Sequence, residues 1–173
     1  MAVAMLAAHE VGVSFSQILQ SLPFFENAPH RLEPCGVWNG VEFINDSKAT
    51  NVDAVFYALN SYKQPLILMM GGVDKGNDYT VLHDLVKDGK VKVLICLGTD
   101  NEKLKKAFAG MIAEIRETQN IREAVLWGQQ LATQGEVVLL SPACASFDLF
   151  KNYEDRGEQF RAAVWNLTEN HKG

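Results

Sequence analysis

From Arg31 onward, runs of consecutive apolar residues alternate with segments whose apolar positions recur every three or four residues. The runs "PLILMMGG", "VKVLICLG" and "EVVLLS" predict strands covered on both faces. Helical spacing predicts helices over Val52–Tyr62, Tyr79–Val86, Asn101–Ala109, Ile121–Ala132 and Tyr153–Asn170, with a short strand at Ile112–Arg116. Ahead of this series, "RLEPCGVW" and "VEFIND" flank Asn39-Gly40, a dipeptide that favours tight strand reversal, so a hairpin opens the unit. Continuous apolar strands separated by helices predict an open, doubly wound, mostly parallel α/β sheet of Rossmann-like type, with helices on both faces. No repeat or low-complexity segment interrupts it.

The first thirty residues follow a different pattern. "MAVAMLAAHEVG" reads as a helix ended by Gly12, and Phe15–Leu22 as a second helix stopped at Pro23, before the irregular "PFFENAPHR". The first stretch has no basic leader, and its apolar run of about eight residues is short for a targeting signal and far below the ~20 needed to span a bilayer. These residues read as an appendage to the α/β unit; the alternative is that they form its first helix.

Composition narrows the picture. A chain of 173 residues, 47% hydrophobic and 21% charged, with net charge -5, can bury a sizeable core in one domain. Cys35, Cys96 and Cys144 are odd in number and scattered, which fits a reducing compartment and a cytoplasmic protein. The mildly acidic balance, without Lys/Arg runs, argues against a nucleic-acid partner. Small anionic ligands stay open, because a few local cations suffice for them.

In a doubly wound sheet, ligands sit beyond the carboxyl ends of the strands. Three segments occupy that position: "NDSKATN" after "VEFI", "GGVDKGNDY" after "LILMM", and "SPACASFD" after "VVLL". Each has a bland explanation: Asp46, Ser47, Thr50 and Asn51 as helix caps, Gly71, Gly72 and Gly76 as turn residues, "SPA" as a strand end. Three such loops on one rim are harder to dismiss, and each carries more than turn chemistry: Asp46 and Lys48, then Lys75, then Ser146. Ammonium groups, hydroxyls and unpaired amides at a helix start all favour an anion such as a carboxylate or phosphate. The chain has no G-x-x-x-x-G-K-[ST] and no G-x-G-x-x-G, so neither a self-contained NTPase nor a dinucleotide enzyme is supported. His9, His30, His83 and His171 are too dispersed for a metal site; His30 stands apart because it abuts Arg31. Cys144 has no evident base beside it, and packing is its default role.

The segments "HRLE", "GVEFINDSKATN", "GGVDKGNDY" and "LLSPACASFDLFKNYEDRGEQF" closely resemble the C-terminal domain of the Mur ligases, in the branch that adds D-glutamate during peptidoglycan synthesis. The resemblance covers nearly the whole chain. It implies an ATP-dependent acid–D-amino-acid ligase, in which a substrate carboxylate is phosphorylated and the acyl phosphate is then attacked by the amine of D-glutamate. It further implies that residues 1–29 are the end of the central ATPase domain plus a hinge at "ENAPHR", and 30–173 the C-terminal amino-acid-binding domain. By the same resemblance, Thr50, Lys75, Ser146 and Phe147 hold D-glutamate, with Tyr153 closing the pocket where the family usually has Phe. Arg31 and Asp46 face the nucleotide, and Lys48, the one catalytic candidate, lies near the terminal phosphate. Asp46 suits that division, since a carboxylate repels an amino-acid carboxylate but accepts hydrogen bonds from ribose hydroxyls. The magnesium ligands and the UDP-N-acetylmuramoyl-L-alanine site belong, on this reading, to parts outside the chain, so the fragment is expected to be inactive alone and to carry no metal. A non-catalytic module binding a small anion or a partner protein through the same rim is the rival expectation.

Overall fold

The computed structural model describes residues 2–24 and 27–169, so Glu26 of the hinge, Asn170 at the end of the last helix and His171 lie outside the described residues. Six strands form one sheet: β1 (Glu33–Trp38), β2 (Val41–Asn45), β3 (Leu66–Gly71), β4 (Val91–Leu97), β5 (Glu114–Thr118) and β6 (Val137–Ala143). Their order is β1-β2-β6-β3-β4-β5, parallel throughout except for the antiparallel β1–β2 pair. Asn39 and Gly40 take φ of 47° and 76°, the two left-handed residues of a tight hairpin turn. The sheet is therefore the doubly wound α/β layer that the apolar runs predict.

Burial on both faces explains those runs. In β3, Leu66, Leu68 and Met70 join the core on one face while Ile67 and Met69 join the core on the other. The first face is covered by α3 (Val52–Ser61), the short α4 (His83–Val86) and α5 (Glu102–Phe108), the second by α6 (Ile121–Leu131) and α7 (Tyr153–Glu169). Each such fully buried aliphatic side chain contributes about 1.5–3 kcal/mol relative to exposure.

Two elements depart from the sequence pattern. The helix expected over Tyr79–Val86 is a 3-10 turn, Tyr79–Leu82, followed by one α-helical turn. Asp78 caps it from one residue away, accepting from Thr80 N at 3.0 Å, and Asp88 and Gly89 at φ 60° and 79° end the segment before it can lengthen. The strand expected at Ile112–Arg116 runs instead over Glu114–Thr118. Ile112 is spent on the core below α5, and the paired residues are the polar "EIRET", which an edge strand tolerates.

Two helices precede the sheet, α1 (Ala2–Glu10) and α2 (Phe15–Ser21), and Gly12 at φ 96° turns the chain between them. Ser14 and Gln17 form a capping box that starts α2. Val3, Leu6 and Leu19 are 80%, 57% and 57% exposed, so much of the apolar content of this pair serves no core within the chain.

Candidate functional site

The loops that follow β2, β3 and β6 leave three adjacent strands at their carboxyl ends. They are also tied to one another. Asp46 N donates to Leu140 O at 2.8 Å and its carboxylate accepts from Ser141 Oγ at 2.8 Å, joining the first loop to β6. Val73 and Ala145 form an antiparallel bridge that joins the second loop to the third. A Cβ on Gly72 would lie 2.2 Å from Ala145 O, so this approach requires glycine.

Arg156, on α7, clamps all three. Its guanidinium is 1% exposed. It donates to Ser47 Oγ and Ser47 O at 2.9 Å, to Cys144 O at 3.2 Å and to Gly71 O at 3.4 Å. Burial pulls its pKa down to about 10, well above neutrality, so the charge persists. Ser47 Oγ also donates to Tyr153 O at 2.7 Å, fixing the start of α7 against the first loop. The sequence reading missed Arg156, since nothing in "YEDRGEQF" distinguishes a buried guanidinium from an exposed one.

A second support lies under the first loop. The His30 ring, 4% exposed, meets Asn45 Nδ2 at 2.9 Å, and Asn45 Nδ2 also donates to Gly157 O at 3.2 Å. His30 O accepts from Lys48 N at 3.0 Å. A Cβ on Gly157 would approach the ring to 2.3 Å, so that glycine makes room for the imidazole. His30 and Leu32 sit at φ 62° and 44°, a region that costs such residues about 1 kcal/mol or more.

Two cavities open on this framework. The first, about 290 Å³, is lined by Arg31, Asp46 and Lys48 with Leu32, Ala49, Ala54, Tyr57 and Ala58. Asp46 is 5% exposed, and its carboxyl is raised to about 6 by burial, against the lowering effect of Ser141, of Leu32 N and of Arg31. The second, about 310 Å³, is lined by Thr50, Lys75, Ala145, Ser146, Phe147, Asn152, Tyr153 and Glu154. Lys48, Ala49 and Thr50 form the partition between them. Lys48 Nζ, from the first cavity, donates to Tyr153 OH at 3.3 Å and lies 5.3 Å from the ring centroid, so the two cavities share a contact.

Each candidate residue from the sequence thus lies in one of two groups. Arg31, Asp46 and Lys48 share the first cavity, and Thr50, Lys75, Ser146, Phe147 and Tyr153 the second. The Lys75 side chain is exposed on a loop organised by Asp74. Burial alone would raise Asp74, but hydrogen bonds from Lys103, Tyr79 and the amides of Gly76 and Asn77 outweigh it and bring it to about 2. The first cavity offers a buried carboxylate and two cations beside an apolar wall; the second offers an ammonium, hydroxyls and the carboxylate of Glu154. Cys144 is buried, its thiol raised by burial and in contact with Tyr79 OH at 3.3 Å, which is a packing environment. Among the described residues no group of three or more His, Cys, Asp or Glu is arranged to hold a metal ion, and no helix is long and apolar enough to cross a membrane.

The chain is 54% identical, over 95% of its length, to the UDP-N-acetylmuramoylalanine–D-glutamate ligase of Cytophaga hutchinsonii, and 53% identical over 94% to that of Porphyromonas gingivalis. It spans 36% of the length of each. Among solved structures, the MurF ligase of Thermotoga maritima in complex with ADP matches 94% of the chain with a TM-score of 0.64 at 12% identity, covering 37% of that protein. A pseudomurein peptide ligase type C from Methanothermus fervidus matches 95% with a TM-score of 0.63 at 16% identity, covering 34%; at such identities the likeness concerns the fold. Residues 30–144 match the model of the Mur ligase glutamate ligase domain, and the chain belongs to that family.

Proposed function

We propose that this chain is the D-glutamate-binding C-terminal domain of an ATP-dependent ligase that extends UDP-N-acetylmuramoyl-L-alanine in the cytoplasm. On this reading residues 30–173 form that domain, and 1–29 are the end of a central ATPase domain with its hinge. One observation carries the proposal: two cavities of similar size meet at the Lys48–Thr50 partition, one with the residues suited to a nucleotide, the other with those suited to a small dicarboxylate. A reaction that joins two anions needs such neighbouring sites, because orientation alone can supply about 7 kcal/mol or more of the barrier.

The first cavity fits a nucleotide chemically. Asp46 can accept from ribose hydroxyls, Arg31 and Lys48 can meet phosphate oxygens, and Tyr57, Ala54 and Ala58 offer an apolar wall. In the second, Lys75 would pair with a D-glutamate carboxylate, Thr50 and Ser146 would donate hydroxyls, and Phe147 and Tyr153 would exclude water. ATP, when bound, supplies the phosphoryl group that activates the substrate carboxyl. Lys48 would hold negative charge at the junction, where the activated carboxyl and the amine have to meet. Magnesium and UDP-N-acetylmuramoyl-L-alanine are assigned to the remainder of a protein close to three times this length.

Titration of the chain with D-glutamate and with ADP tests the reading. Selective millimolar D-glutamate binding, abolished by Lys75→Met and kept in Asp46→Asn, is expected. Tight binding to an unrelated protein with no response to either small molecule would reverse it in favour of a non-catalytic module.

A further inference from the structure

The second cavity holds a residue that dicarboxylate binding does not explain. Glu154 lines it together with Lys75, Ser146 and Thr50. A carboxylate at that position repels a dicarboxylate. Glu154 also sits in the first turn of α7, where an acid suits the helix dipole; that alone would be served equally well by Asp155 and needs no cavity.

The ligand class resolves the conflict. An amino acid with two carboxylates also carries an ammonium, and its site needs an anion as well as a cation. We infer that Glu154 receives the substrate ammonium, so that Lys75 and Glu154 together select an α-amino dicarboxylate over a plain dicarboxylic acid. The inference rests on the amino-acid assignment of this cavity. Its geometry is that of a zwitterion site: cation from the β3 loop, hydroxyls from the β2 and β6 loops, anion from the start of α7.

The surroundings of Glu154 keep it ionised for that task. Its carboxyl is held below the usual range, first by the Tyr153 side chain, then by its own amide, with His30 and Lys48 assisting from a distance. A carboxyl held below its usual range is a weak base, so Glu154 orients the nitrogen rather than removing its proton. Tyr153 touches both Lys48 and Glu154, which places the ammonium holder beside the partition where the two cavities meet.

Glutarate, which is glutamate without its ammonium, separates the two functions. Dissociation constants of D-glutamate and glutarate would be measured by titration calorimetry or NMR on the wild-type chain, Glu154→Gln and Glu154→Asp. Wild type should prefer D-glutamate by about tenfold, a difference of ~1.4 kcal/mol. In Glu154→Gln the preference should shrink to within about twofold, mainly because glutarate binds better once the repelling charge is gone. Glu154→Asp should keep part of it. A preference in Glu154→Gln still above about fivefold, or none in wild type, overturns the role of Glu154 while leaving the cavity an amino-acid site. Failure of both ligands to bind wild type overturns that assignment itself, and the inference with it. Glu154 is exposed, so thermal melts of the variants should stay close to wild type, and a helix-dipole role would leave the ligand preference unmoved.

Discussion

The two ends of the sheet occupy left-handed backbone conformations with different residues. At the amino ends of the parallel strands these positions fall to Asn39, Gly40, Asp88 and Gly89, residues whose small or self-bonding side chains suit such turns. At the carboxyl ends they fall to His30, Leu32 and Ala143 as well as Gly71 and Gly72. Polar burial divides the same way: Asn45, Asp46, Ser47, Ser141, Ser146 and Arg156 are buried at the carboxyl rim. Among the described residues the amino end has one buried polar side chain, Glu136, paired with Lys92 at 2.6 Å. One end is built from what the local chain prefers. The other is forced into shape by cross-links between loops, which is how a binding site is kept against local preference.

If the rim depends on its clamp, removing Arg156 should have the largest effect. Arg156→Met leaves the carbonyls of Gly71, Ser47 and Cys144 without their donor, at about 1–3 kcal/mol for each buried group left unpaired and about 4 in total after relaxation. Arg156→Lys should recover less than half, because one ammonium cannot span a fork of contacts. Urea unfolding checks both, and a loss under about 1 kcal/mol for the methionine variant would dismiss the clamp.

Lys75 comes next, and it separates function from stability on the same rim. In the complete ligase, Lys75→Met should weaken D-glutamate by roughly 2–4 kcal/mol, seen as a strongly raised KM, with the ATP KM within a few fold. Lys75→Arg should rescue only part. Because Lys75 is exposed, neither variant should change stability by more than about 0.5 kcal/mol. An unchanged D-glutamate KM in Lys75→Met removes it from the site.

The contrast between the ends also explains what was legible in the sequence. The strands were readable because both faces are buried, which writes an unbroken apolar run, and the hairpin because Asn39-Gly40 is itself the turn. The three rim loops were readable as polar insertions, and the resemblance distributed Arg31, Asp46, Lys48, Thr50, Lys75, Ser146, Phe147 and Tyr153 over two ligands. Arg156 and Asn45 were not readable, since their roles arise from contacts 109 and 112 positions away along the chain. Glu154 was invisible for another reason: its meaning depends on the cavity it faces, and by spacing it is one more acid opening a helix. The short α4 and the shifted β5 were misread where an apolar residue, Ile112, packs without belonging to the strand.

Asp46 supplies a third effect, of opposite sign to the first. Its carboxyl is raised to about 6 from an ordinary 3.8 by burial, so the folded state holds the proton more firmly than the unfolded one. Stability tied to Asp46 is therefore fully present below about pH 4 and is lost as pH rises through about 6, by about 3 kcal/mol. Asp46→Asn keeps the shape and lets Ser141 Oγ reverse its hydrogen bond. It should stabilise the chain by about 1–2 kcal/mol at pH 7.5, flatten that pH dependence and weaken nucleotide binding. A variant less stable than wild type at pH 7.5 would show that the ionised carboxylate helps hold the rim.

The smallest effect belongs to the amino end, and its pH dependence should run the other way. Burial raises Glu136, but the Lys92 ammonium and the amide of Thr133 outweigh it and hold the carboxyl below its usual range. A depressed carboxyl gives stability that is present above the ordinary carboxylate range and lost as the solution is acidified through it. Lys92 is partly exposed, so water screens the pair, and Lys92→Met should cost only about 0.5–1 kcal/mol at neutral pH. The loss should shrink in 1 M salt, where exposed pairs are screened over ~3 Å, and vanish once the solution is acid enough to protonate Glu136. Arg156→Met should keep its full cost under both conditions, since its partners are carbonyls and a hydroxyl that neither salt nor acid removes. Denaturation of the two variants across pH and salt makes that comparison directly. If Lys92→Met proved as costly as Arg156→Met and as indifferent to salt, the amino end would be cross-linked too, and the distinction between a locally built end and a clamped one would fail.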